Sequence, residues 1–133
     1  MRLLDFLVAD DIRRELGNKI SVMGVFNDTI NLNLPANAAG PILFRLGLFV
    51  RVLIDETDEI PDRFRLIILH NDANIAEFGG TISSKERAKL ITLPFVANPL
   101  PLPGLGVLNF QLELFKGDVN LFLTTSPFPI EVT

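Results

Sequence analysis

Apolar residues recur along this chain with a period of two. From Ile42, the alternate residues Phe44, Leu46, Leu48, Val50, Val52 and Ile54 are all apolar. The other parity mixes Leu43, Phe49 and Leu53 with Arg45, Gly47 and Arg51. A helix would scatter these two sets around its circumference, whereas a strand sends them to opposite faces. The same alternation sets Leu108, Phe110, Leu112 and Leu114 against Asn109, Gln111 and Glu113, and Ile30, Leu32 and Leu34 against Asn31 and Asn33. The pattern predicts strands at 3–9, 19–26, 29–34, 42–54, 63–70, 75–82, 87–96, 107–115 and 119–124.

Turn residues punctuate these strands. Gly17-Asn18 reads as a tight hairpin because both residues tolerate positive φ, and Lys116-Gly117-Asp118 reads the same way. Loops are predicted at 35–41, at an acidic 55–62, at 71–74 and at a proline-rich 98–106. Ser83 to Glu86 has capping-box spacing. Too few residues precede Pro94 for a long helix, so a turn or strand edge is expected there. Pro94 has no N–H to give a ladder, which puts its strand at a sheet edge or ends it. Many short strands without βαβ alternation predict an all-β fold. The expected form is a two-layer antiparallel β-sandwich of about eight or nine strands, immunoglobulin-like or C2-like, as a single domain over residues 1–133. With every connection reversing direction, the turns at 17–18, 83–86 and 116–118 are expected to join the acidic loop in one charged rim. The loops at 35–41, 71–74 and 97–106 then make a neutral, proline-rich rim.

Composition sharpens this picture. Hydrophobic residues make up 48% against 21% charged, and mean hydropathy is +0.37. A small sandwich this apolar either buries both faces of some strands or covers surface with another subunit. The net charge of -4, with no basic run, lacks the footprint of a nucleic-acid binder or a polybasic membrane anchor. The stretch 42–54 is cut by two arginines and is too short to span a bilayer, and the first residues lack a signal-peptide pattern. The absence of cysteine excludes disulfides, a thiolate nucleophile and Cys-type zinc sites. It also suits a cytoplasmic setting. Without Trp or Tyr, the flat platforms that bind sugars or single-stranded nucleic acid are missing.

Candidate chemistry is sparse. His70, the only histidine, shares parity with Phe64, Leu66 and Ile68 and has no nucleophile elbow beside it. It reads as a partly buried side chain satisfied by a loop carbonyl, with an enzyme using His70 and Asp72 as the least favoured alternative. Gly104-Leu105-Gly106 leads into a strand, so it cannot place a helix N-terminus behind a phosphate. No cofactor is expected. In the acidic loop, Asp55, Asp58 and Asp62 are the candidate cation ligands, because oxygen-rich loops can hold calcium. Nearby cations instead favour a solvated, self-neutralising rim. For contact with a partner, Asp11 and Arg13 share a strand face, and Leu100, Leu102 and Leu105 fall in the neutral rim.

The run from Leu7 to Phe26, containing Asp10-Asp11-Ile12-Arg13-Arg14-Glu15 and Lys19-Ile20-Ser21-Val22-Met23-Gly24-Val25-Phe26, carries a resemblance. It is similar to the opening of a bacterial domain family of unknown function with the pattern D-D-I-R-x-E-x-x-G-K-x-S-x-x-G-V-[FY], from which Asn18 departs by adding a turn residue. The end of the chain, from Leu105 to Val132, is similar to that family's ending and to the last hairpin of many immunoglobulin-like sandwiches. The resemblance implies a β-sandwich from a bacterial or phage source and carries no catalytic residue with it. The function expected is a non-enzymatic interaction or structural module, working through a protein partner or by self-association. The alternative is a cation- or small-ligand-binding module using the acidic loop.

Overall fold

The computed structural model describes residues 1–34, 40–83 and 89–133. Ten strands lie among them: β1 (Arg2–Glu15), β2 (Lys19–Val25), β3 (Thr29–Ile30), β4 (Ile42–Leu53), β5 (Arg63–His70), β6 (Ala73–Thr81), β7 (Leu90–Leu102), β8 (Gly106–Lys116), β9 (Val119–Thr125) and β10 (Ile130–Val132). They build two packed sheets, not a closed barrel. One has the order β2-β1-β4-β7 and the other β3-β10-β8-β5-β6, with β9 beside β10 along the same side of β8. Every pairing is antiparallel except β3 with β10.

The two-residue period accounts for the core. Leu46, Leu48, Val50 and Val52 of β4 meet Leu66 and Ile68 of β5 and Leu108, Phe110, Leu112 and Leu114 of β8, all buried. Phe6 of β1 packs on Phe110 with ring centroids 5.9 Å apart. At the far edge, Phe78 of β6 meets Phe95 of β7 at 4.5 Å. That contact pairs the β6 and β7 edges, and it leaves β9 on the opposite margin of its sheet.

The chain departs from its predicted elements in several places. The first strand runs on to Glu15 instead of stopping at residue 9, because Asp10 to Glu15 pairs with β2 alone and needs only one covered face. Residues 98–102 are strand, not loop: Leu100 and Leu102 point inward and are buried, while Pro99 and Pro101 are exposed. The prolines are tolerated because β7 is an edge strand, as Pro94 required. The predicted strand 29–34 contracts to Thr29–Ile30, and Ile130–Val132, unforeseen, pairs with it. Asn71 and Asp72 both have positive φ (47° and 66°) and close a tight turn into β6. The capping-box segment lies mostly at 84–88, outside the described residues, as does most of the 35–41 loop.

The two-rim arrangement holds in part. Asp62, Lys116 and Gly117 meet at one end, and His70, Asn71, Gly104 and Val107 at the other. The Gly17-Asn18 turn belongs to neither rim. β1 leaves β4 at the Ala9–Gly47 pair, and the ribbon it makes with β2 folds over the outer face of β4 and touches β7. Gly47 makes this crossing possible. A Cβ there would stand 3.1 Å from Ile12 Cγ1 and 3.4 Å from the Ala9 carbonyl, so any side chain at this position would push Ile12 outward.

Candidate functional site

On the ribbon, Asp11 is held from two sides. Its carboxylate accepts a 2.5 Å hydrogen bond from Arg45 on β4 and a 3.1 Å bond from Arg13 Nε. Arg45 first, and Arg13 second, hold the Asp11 carboxyl below its ordinary range. Asp11 therefore anchors the ribbon to the sheet, and Arg13 remains largely exposed. The proposed contact leucines separate. Leu100 and Leu102 are 1% and 0% exposed and belong to the core, which removes them from any surface, whereas Leu105 is 55% exposed. The alternation that made 98–102 a strand also turned these two leucines inward.

His70 is buried, and its Nε2 lies 3.0 Å from the Gly104 carbonyl, the loop partner the sequence anticipated. Asn71 reinforces the same clasp, exchanging bonds with Val107 through its amide N–H and its side-chain oxygen, both at 2.9 Å. Gly106 lies against these two side chains, where a Cβ would come within 2.8 Å of each. The glycine of the G-x-G thus serves close packing.

The acidic loop is divided between two partners. Asp58 accepts a 2.7 Å bond from the Met1 ammonium group and a 3.0 Å bond from the Asp55 N–H. The ammonium group, more than that N–H, draws the Asp58 carboxyl below its ordinary range. Asp55 stands 3.9 Å from the same ammonium group. Asp62 turns away to the Gly117 N–H at 3.1 Å and to Lys116 at 3.9 Å. Among the described residues, no group of three or more His, Asp or Glu side chains converges at metal distance.

Three features escaped the sequence reading. On the outer face of the second sheet, Arg65 donates two bonds to Glu113, at 2.8 and 3.2 Å, and one to Glu77 at 3.1 Å. Glu113 is buried, so the forked pair spares a carboxylate from lying unpaired. Second, β9 offers a free margin. Among the described residues it pairs only with β8, and Val119 and Leu123 are 61% and 54% exposed. The absence of any charge from Val119 to Thr125 was legible, but which strand would be an edge was not.

The third feature is a cavity of about 420 Å³ between the sheets at the β6–β7 edge. Phe64, Ile82, Leu93 and Phe95 give it a half-buried apolar floor backed by Leu48, Val50, Leu66 and Leu112, and Thr81, Ser83, Thr92 and Arg14 line it nearer the surface. Arg14 stands opposite Ile20 and shares a ribbon face with Ile12, which lies on Gly47. That face turns toward the sheet, and Arg14 lines the cavity together with Thr92 and Pro94 of β7. Parity alone could have grouped Arg14 with Ile12, but only the folded ribbon shows where that face lands. Arg13 and Arg45 are committed to Asp11, whereas Arg14 makes no ion pair among the described residues.

Among the described residues, no helix is long and apolar enough to cross a membrane. The chain matches no protein-family model and no curated protein.

Proposed function

We propose that this protein is a non-enzymatic interaction module that self-associates through the free edge of β9. The observation that carries the reading is the contrast among sheet margins. Edge strands attract other strands unless charge, proline, a kink or shortness blocks them. β7 carries Pro94, Pro99 and Pro101; β6 carries Glu77 and Gly79-Gly80; β3 is two residues long; β2 carries Lys19 and a left-handed Gly24 with φ +67°. β9, Val119-Asn120-Leu121-Phe122-Leu123-Thr124-Thr125, carries no charge, no proline and no glycine over seven residues, and its one irregularity is the register shift against β8 at Leu121. Two copies related by a twofold axis can pair β9 antiparallel to β9, joining their second sheets and covering Val119 and Leu123. This also answers the high mean hydropathy, because an apolar margin is then shared instead of wetted.

The test is sedimentation velocity with interference optics, since the chain has no Trp or Tyr to absorb at the usual wavelength. The wild-type chain should run as a dimer at tens of micromolar. Val119→Lys with Leu123→Lys should run as a monomer with an unchanged melting temperature. A wild-type chain that is strictly monomeric at that concentration, or a double variant that still dimerises, defeats the reading.

A further inference from the structure

We infer that the cavity at the β6–β7 edge binds the tail of an amphipathic monocarboxylate, with the Arg14 guanidinium meeting its head. The site lies across the sandwich from β9, so it stands or falls independently of self-association. At about 420 Å³ it falls within the roughly 300–1,000 Å³ usual for small-molecule pockets, which pair an apolar lining with a few placed polar groups. Its floor is made by the half-buried apolar side chains of Phe64, Ile82, Leu93 and Phe95, with the buried core side chains Leu48, Val50, Leu66 and Leu112 behind them. A floor of this kind offers no hydrogen bond and favours an alkyl chain over a polar ligand.

The outer lining has the opposite character. Thr81, Ser83 and Thr92 supply hydroxyls, and Arg14 supplies the only formal charge among the described lining residues. An arginine fork matches a carboxylate with two parallel bonds, which a hydroxyl head cannot reproduce and a cationic head opposes. The ribbon gives this placement a purpose. Its crossing over Gly47 sets a positive group beside an apolar opening in a chain of net charge -4. A ligand entering at this edge needs no strand to separate, because β6 and β7 are each the last strand of their sheet. The ligand class is a free medium-chain carboxylate.

Isothermal titration calorimetry of the full chain tests the assignment, with decanoate and decyltrimethylammonium below their micelle concentrations and decanol below its solubility limit. Decanoate should bind most tightly and the cationic amphiphile least. Arg14→Gln should weaken decanoate by about two- to fivefold, the worth of an ion pair to an exposed arginine, and leave decanol unchanged. Arg14 is exposed, and far-UV circular dichroism confirms that the variant is folded. Methyl resonances of Leu48, Leu66 and Leu112 should shift on adding decanoate to the wild type. Failure of decanoate to bind at millimolar concentration overturns the proposal. So does equal binding of the cationic amphiphile, an Arg14→Gln affinity equal to wild type, or methyl shifts confined to other parts of the molecule.

Discussion

At the scale of single residues, the most consequential side chain is one the chain lacks. Gly47 interrupts an otherwise bulky outward row on β4, and its bare Cα lets Ile12 settle against the sheet. Gly47→Val should lower stability by about 1–3 kcal/mol, the usual cost of forcing atoms into packed space. Far-UV circular dichroism in urea measures it, and Ile12→Ala in the same background should recover part of the loss by clearing the Cγ1 contact. Asp11 makes a different prediction. Arg45 and Arg13 depress its folded-state pKa, so its contribution is present above the unfolded carboxyl value of about 3.9 and fades as pH falls through the lower, folded value. Asp11→Asn should therefore be less stable than wild type at neutral pH, and the two should converge in strong acid. Urea midpoints across an acid series measure this, and a gap that persists undiminished to low pH would refute it.

At the scale of elements, period-two patterning found strands wherever one face is buried and the other polar. It failed where a second signal competed. Two prolines and an Asn made 98–102 resemble a loop, yet alternation persisted beneath them, with Leu100 and Leu102 inward. The prolines identified an edge strand and did not end it. Leu100→Ala should accordingly cost about 2–5 kcal/mol as a buried truncation, whereas Leu105→Ala, on an exposed residue, should change stability by less than about 0.5 kcal/mol. Equal, small effects at both positions would contradict the buried placement of Leu100. The β1–β2 ribbon shows the converse limit. Its pairing was legible from Gly17-Asn18, but its landing place depended on a gap in another strand, which no local pattern encodes. Short β3 and β10 were hidden for a related reason: neither is long enough to show a period, and each is a strand only because the other is beside it.

At the scale of the whole molecule, the all-β sandwich was readable because its burial obeys one rule throughout the sheets. The candidate sites were less so, because cavities and free edges are properties of strand order, and strand order depends on long-range pairings. The acidic loop illustrates the difference. Its five carboxylates suggested a cation site, but the fold commits Asp58 to the amino terminus and Asp62 to Gly117 and Lys116. Millimolar calcium should leave the melting temperature unchanged in a thermal scan, since a ligand that does not prefer the folded state cannot raise it; a clear rise would restore the loop as a cation site. A last consequence follows from β10. Ile130 and Val132 are buried, and β10 sits between β8 and Thr29–Ile30. A strand made early in synthesis thus waits for one made about a hundred residues later. While the chain is emerging from the ribosome, Ile30 lacks its strand partner and Leu108 is paired on its β5 side alone, so the nascent sandwich stays open along that seam. The closing step belongs to residues 130–132, so a nascent chain stalled before them should remain protease-sensitive where the same chain extended past them becomes resistant.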